Sequence, residues 1–299
     1  MSRTFKCLLI VLMVSIAGIF PAAASDSMVQ FSTLLGFAER ASTAYESPAA
    51  IAKAYPNTTR IATPGGASVL YFIETDHGER IHIVTVRGTA DAMNDSEDRD
   101  THERFDPVLG IKVHRGFDIV TQDILTDLKP HLKPGYTVTL TGHSLGGAVA
   151  CLLGMYLHHE GGKVGRIYTF GQPKVTNRQG AEKYADLPLT RVVDQNDIVP
   201  MLPDGTDGKG NLFEHTGPEI ILLDGPYYVS LPQHKADRLS VDQFAKEFYL
   251  SSLPDHAIKN YVKRLREKTS KSVEVAYRDR ERYVVRQRPV GTKTEKDNR

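Results

Sequence analysis

YTVTLTGHSLGGAVACLLGMYL, running from Tyr136 to Leu157, changes period at its centre. Tyr136 to Thr141 has the β-branched alternation of a strand, whereas Ala148 to Leu157 is too long and too continuously apolar to be another edge strand and reads as a buried helix. The chain must therefore turn sharply at Ser144. A strand-to-helix turn that tight leaves no room for side chains two positions either side, where Gly142 and Gly146 stand. The serine hydroxyl is then pushed out at the carboxyl end of a strand. The helix that follows supplies unpaired N–H groups and the positive end of its dipole, so the Leu145 N–H can face a developing oxyanion. That layout suits acyl transfer, with Ser144 as nucleophile.

Working outward, Met28 to Tyr45 repeats apolar residues at helical spacing before Ser47-Pro48 breaks the pattern. Val69 to Ile73 and Ile81 to Val86 read as successive strands joined by a turn at His77-Gly78-Glu79, and the second ends in Arg87-Gly88-Thr89. Asp91 to Asp106 is polar without periodicity and reads as an exposed flap. Gly116 to Leu132 reads as a helix, and Ile167 to Phe170 and Thr190 to Val193 as strands. Glu219 to Leu223 reads as the last strand and Ile258 to Leu265 as a closing helix. This alternation predicts an α/β fold of one domain, a central, mostly parallel sheet flanked by helices.

A serine nucleophile needs a general base, and the base needs a carboxylate that fixes its tautomer. In sheets of this kind the chain order is serine, acid, histidine, so the search runs forward from Ser144. Asp197 stands on a loop just beyond a β-branched strand, where Ile198-Val199-Pro200 would bury and fix it; Asp194 is its nearest rival. His215, His234 and His256 follow. His256 is favoured because it opens the last helix, whose dipole favours a neutral imidazole. His215 falls at the amino end of its strand, and His234 in a loop. The second oxyanion donor is expected after an earlier strand, at the Thr89 N–H. His114 precedes Ser144 and reads as a packing or hydrogen-bonding residue. This chemistry requires no metal and no cofactor.

The chain has 299 residues, 40% of them hydrophobic, and a formal charge of +1. That composition is ample for a sizeable core, and a near-neutral charge provides no general reason to bind nucleic acid. Arg3 and Lys6 precede an apolar run from Leu8 to Phe20, followed by small residues through Ala24. The pattern reads as an export signal over residues 1–24, cleaved to leave a domain of residues 25–267 and a secreted or periplasmic product. The run is short for a membrane span, which needs roughly 20 residues. Cys7 belongs to that signal, so Cys151 alone remains and no intramolecular disulfide can form. Residues 268–299 mix basic and acidic side chains with few apolar ones and read as a solvated or disordered tail.

Further segments around these residues add a resemblance. Val86-Arg87-Gly88-Thr89, Lys112-Val113-His114-Arg115-Gly116-Phe117 and Tyr168-Thr169-Phe170-Gly171-Gln172-Pro173 stand in the same order as Gly142 to Gly147. They are joined by Asn196-Asp197-Ile198-Val199-Pro200, His215-Thr216-Gly217-Pro218-Glu219 and Asp255-His256-Ala257-Ile258-Lys259-Asn260-Tyr261. Over most of residues 65 to 262 the chain resembles the class 3, fungal-type triacylglycerol lipases of the α/β-hydrolase superfamily. The resemblance implies Ser144 as nucleophile, Asp197 as acid, His256 as base, and Thr89 with Leu145 as oxyanion donors. It also implies an acyl ester or lipid substrate and peripheral contact with lipid surfaces. One departure matters: the family's lid commonly carries an apolar face, often with tryptophan, whereas Asp91 to Asp106 is charged and the chain has no tryptophan. That difference favours phospholipid or soluble short-chain and aryl esters over long triglyceride. A hydrolase scaffold that only binds a lipid or a partner is the competing reading.

Overall fold

Short apolar strands separated by helices need cover on both faces, which a parallel sheet between two helical layers provides. The protein takes that form in a computed structural model that describes residues 29–65, 69–89, 102–195, 197–203, 213–233 and 253–284. The first elements are α1 (Phe31–Thr43), α2 (Pro48–Ala54), β1 (Thr58–Ala62), β2 (Tyr71–Asp76) and β3 (Ile81–Val86). After them come β4 (Glu103–Asp106), β5 (Ile111–His114), α3 (Arg115–Leu128), β6 (Thr137–His143) and α4 (Leu145–His159). The chain continues through β7 (Val164–Phe170), β8 (Thr176–Asn177), α5 (Arg178–Lys183), β9 (Leu189–Asp194) and β10 (Phe213–Glu214). It closes with β11 (Glu219–Leu222), β12 (Tyr227–Leu231), α6 (Ile258–Lys268) and β13 (Val273–Glu274).

The main sheet runs β1-β2-β3-β6-β7-β9-β11-β12-β13. Its centre, from β3 to β11, is parallel, and antiparallel pairs flank it at β1/β2, β2/β3 and β11/β12. A smaller antiparallel sheet, β10-β8-β5-β4, lies beside it. This is the α/β-hydrolase fold.

Helix α4 is the keystone of one face. Every residue from Leu145 to Leu157 is buried, because α3 covers it on one side and the sheet on the other. Each such leucine is worth about 1.5–3 kcal/mol of burial. On the opposite face α1 and α6 pack together, closing Phe31, Leu34, Tyr261 and Leu265 over Phe170, Val192 and Ile220. The central strands are thus buried from both sides.

Three expectations need correction. Glu219 to Leu223 does not end the sheet, since β12 and β13 extend it. Glu103–Asp106, assigned to the polar flap, is a strand; Asp106 is buried because its carboxylate accepts from the Leu109 N–H at 2.6 Å and from Tyr156 Oη at 2.6 Å. Residues 90–101 of that flap lie outside the described residues, as does the expected signal at 1–24.

The third concerns the tail. Residues 268–284 fold back rather than trailing into solvent, and only those after 284 lie outside the described residues. Lys268 is buried and donates to the carbonyls of Leu223 at 2.7 Å, Gly225 at 2.8 Å and Arg264 at 3.1 Å. β13 pairs with β12, and Tyr283 stacks on Tyr227 at 4.1 Å between ring centres. A charge-rich composition hid these few anchoring contacts. Replacing Lys268 by Met should leave three carbonyls without their donor and lower the stability by about 1–3 kcal/mol, read from urea denaturation.

Candidate active site

The carboxyl ends of β6, β7 and β9 converge on the start of α4, and the site is built there. Ser144 caps α4 with φ 59° and ψ −128°, a region that L-residues seldom occupy. The surrounding backbone imposes it. The Ser144 N–H donates to Phe170 O at 2.9 Å, and its carbonyl accepts from Gly147 and Ala148 at 2.9 and 3.1 Å. A Cβ on Gly142 would lie 2.2 Å from Gly146 O, and one on Gly146 would lie 2.2 Å from Val86 O. Only glycine fits at either place. Leu145 is the first residue of α4, so its N–H has no acceptor within the helix.

His256 ends a short 3-10 turn, Leu253–His256, just ahead of α6. Its Nδ1 lies 2.7 Å from Asp197 Oδ2, and a carboxylate can only accept, so Nδ1 carries the proton and Nε2 keeps a lone pair. Asp197 is fully buried yet well provided with donors. Its Oδ1 accepts from the Val199 N–H at 2.8 Å, and its Oδ2 also accepts from the Tyr261 hydroxyl. Burial, with the Asp197 charge beside it, pushes the Tyr261 phenol well above its ordinary range, so it stays a donor.

Gly171 links this pair to the serine. It follows the carbonyl that holds the Ser144 amide, and a Cβ placed on it would lie 2.8 Å from Asp197 Oδ2 and 3.0 Å from His256 Nδ1. The His143 ring, next in sequence to Ser144, lies 4.5 Å from the His256 ring, centre to centre. Ser144 Oγ and His256 Nε2 are both buried, and neither makes a hydrogen bond among the described residues. The two therefore share a neighbourhood without being bonded to each other. The hydroxyl of Thr89 is likewise buried without a partner, and Gly88 before it packs against Ser144 Cβ.

The other candidates are placed elsewhere. Asp194 pairs with Arg264, whose Nε lies 2.5 Å from Oδ2. His215 is buried with Nε2 at 2.7 Å from Pro200 O. His114 caps α3 through the Phe117 N–H at 3.4 Å and stacks on the Phe117 ring at 3.8 Å. His234 lies outside the described residues. Among the described residues no group of His, Cys, Asp and Glu is arranged to hold a metal ion.

Sequence reasoning missed Tyr261 and Arg264 as supports of the acid loop. Their signal was present: Tyr261, Arg264 and Lys268 recur at helical spacing on α6, each a polar residue turned toward the sheet.

The sequence profile described as Lipase (class 3) matches residues 83–206. Over that region the chain is similar to the class 3 lipases. The chain is 37% identical over 132 residues to a lipase of Rhizomucor miehei, a match covering 40% of this chain and 35% of that protein. It is 31% identical over 171 residues to secreted mono- and diacylglycerol lipase 1 of Fusarium solani, covering 52% and 48%. A solved triacylglycerol lipase, whose catalytic centre is described as a serine protease triad, superposes with a TM-score of 0.54 and 26% identity. That match covers 65% of this chain and 80% of the other. The matched region thus spans roughly a third to a half of the curated relatives' length.

Burial holds the imidazoles of His143 and His215 well below their ordinary 6.5, with the neighbouring His256 ring adding to the effect at the first and the charges of Arg191 and Lys174 at the second. The unfolded chain takes up these protons near 6.5, whereas the folded chain does not. Stability is therefore full above that pH and falls in acid, by up to about 1.4 kcal/mol per pH unit for each group. The urea midpoint should drop between about pH 7.5 and about pH 5, and His215→Gln should make the drop shallower.

Proposed function

We propose that this protein is a class 3 lipase, an exported serine carboxylic-ester hydrolase that works through an acyl-enzyme. Ser144 is the nucleophile, His256 the general base, and Asp197 the carboxylate that orients it. The observation carrying the reading is an imidazole whose Nδ1–H is held by Asp197, leaving its Nε2 lone pair buried and unpaired close to a buried, unpaired serine hydroxyl. Such a pair needs only a small side-chain movement, as free enzymes often do before substrate tightens the contact.

In this mechanism His256 Nε2 takes the Ser144 proton as Oγ attacks the ester carbonyl. Negative charge moves to the carbonyl oxygen, which rests on the N–H groups of Leu145 and Thr89, and the N-terminus of α4 favours it further. As the tetrahedral intermediate collapses, the C–O bond to the alcohol breaks and His256 returns the proton to that alcohol. Water then repeats the cycle on the acyl-enzyme and releases the acid. Losing one oxyanion donor costs about 2.7–4 kcal/mol in such sites.

The substrate we assign is an acyl ester of modest chain length or a phospholipid. The largely charged segment 91–106 and the absence of tryptophan support this choice, as the sequence there offers no broad apolar face that would drive opening at an oil surface. Phe105 and Val108, exposed at 61% and 49%, provide a small apolar tip on the β4–β5 hairpin for peripheral contact with lipid. Export is supported by the leader-like residues 1–24 and by the secreted relative from Fusarium solani. A binding-only scaffold would have no use for the Asp197–His256 alignment.

A fluorophosphonate probe should add to Ser144, and Ser144→Ala should abolish both the adduct and the hydrolysis of p-nitrophenyl esters. Across acyl lengths the rate should peak at short chains and change little on emulsification; a long-chain maximum that rises steeply with emulsion would overturn the substrate assignment.

A further inference from the structure

His143 and Tyr45 lie within the site, yet the proposed chemistry uses neither. Both are held in a fixed order. His143 is buried, its Nε2 is 2.7 Å from the carbonyl oxygen of His256, and its Nδ1 is 2.8 Å from Tyr45 Oη. Because a carbonyl only accepts, Nε2 must carry the proton; Nδ1 is then the acceptor, and the Tyr45 hydroxyl donates to it. The Tyr45 oxygen in turn packs closely on Gly88, where it would crowd any Cβ.

The polarity is therefore the same along the line that starts against Gly88: Tyr45 O–H to His143 to the carbonyl of His256. Its two ends are the two parts of the site that must meet at Ser144. One end is the loop that presents the Thr89 N–H. The other is the main chain of the base. Its middle residue is bonded covalently to Ser144 itself. The packing leaves little slack: a Cβ on Gly88 would lie 2.3 Å from Tyr45 Oη, 2.7 Å from His143 O and 3.1 Å from Ser144 Cβ.

We propose that Tyr45 and His143 are positioning residues, a hydrogen-bonded strut that sets the oxyanion loop and the base at one fixed separation about Ser144. The assignment rests on the hydrolase reading above. Neither residue touches the reacting atoms; each acts through the backbone it holds. Burial keeps His143 neutral, so the direction of the line does not reverse as the pH changes. Burial likewise raises the Tyr45 phenol to about 12, so it remains a donor. Aligned bonds of this kind polarise one another and resist bending more than isolated ones do.

The strut predicts a loss in turnover rather than in binding. Tyr45→Phe removes one oxygen and keeps the ring that packs edge-on against His143 at 5.9 Å. Its kcat on a soluble p-nitrophenyl ester should fall about 10- to 100-fold with KM within about twofold, since a displacement near 1 Å of groups aligned for reaction costs that much. His143→Gln retains an amide that can both donate and accept, and should recover part of the rate lost in His143→Leu.

Each rate is taken per mole of folded protein, counted by circular dichroism and by the stoichiometry of fluorophosphonate labelling at long times. A variant that merely unfolds more easily then shows a full rate. Wild-type kcat in Tyr45→Phe, or equal losses in His143→Gln and His143→Leu, would overturn the strut while leaving the hydrolase reading intact. A wild-type protein that neither labels at Ser144 nor cleaves any ester would overturn the hydrolase reading, and the strut with it.

Discussion

The backbone at Ser144 has a positive φ because strand β6 must become helix α4 within one residue while two glycines let the turn lie against Val86. A conformation of that kind costs on the order of 1–3 kcal/mol and persists only where the surroundings over-determine it. Here the surroundings are the fully buried helix α4, the amide bond to Phe170, and the paired strands on both sides of β6. The strain is thus held by the core. The same turn lifts the hydroxyl off the end of the strand and sets it at the start of a helix.

Around that turn, the polar groups are arranged so that each buried charge is compensated. Asp197 receives donors from Val199, His256 and Tyr261, which removes the penalty of a buried unpaired carboxylate. Asp194, a few residues earlier, is neutralised by Arg264. Tyr261, Arg264 and Lys268 project from the same side of α6, so one helix stabilises the acid loop, the end of β9 and the turn between β11 and β12. Charges set in dry surroundings act more strongly on one another than they would in water, which suits the oxyanion stabilisation proposed for this site.

Some of this was legible in the sequence. The change of period at Ser144 marks the strand, the turn and the helix; Ile81 to Val86 is a strand with the bounds its alternation indicates. The sequence favours Asp197 over Asp194 through the apolar residues that follow it, and the structure turns the two toward different partners, His256 and Arg264. Residues 268–284 were misread because composition reports an average. One buried lysine, one short strand and one stacked tyrosine are enough to dock a segment whose remaining residues are charged. Asp106 was misread for a related reason: an aspartate in a polar stretch gives no local sign that a distant tyrosine awaits it.

By itself, then, the sequence determined what is periodic and local: the alternating strands, the apolar helix, and the crowded turn that only glycines allow. Tertiary structure decided which of several acids and histidines came together, and that Tyr45, His143 and Tyr261 would surround them. The physical reason is one of range. Backbone preferences and hydrophobic period act over a few residues and are written in their order, whereas a hydrogen bond between residues 45 and 143, or 197 and 256, exists only after the sheet has brought distant segments to one edge.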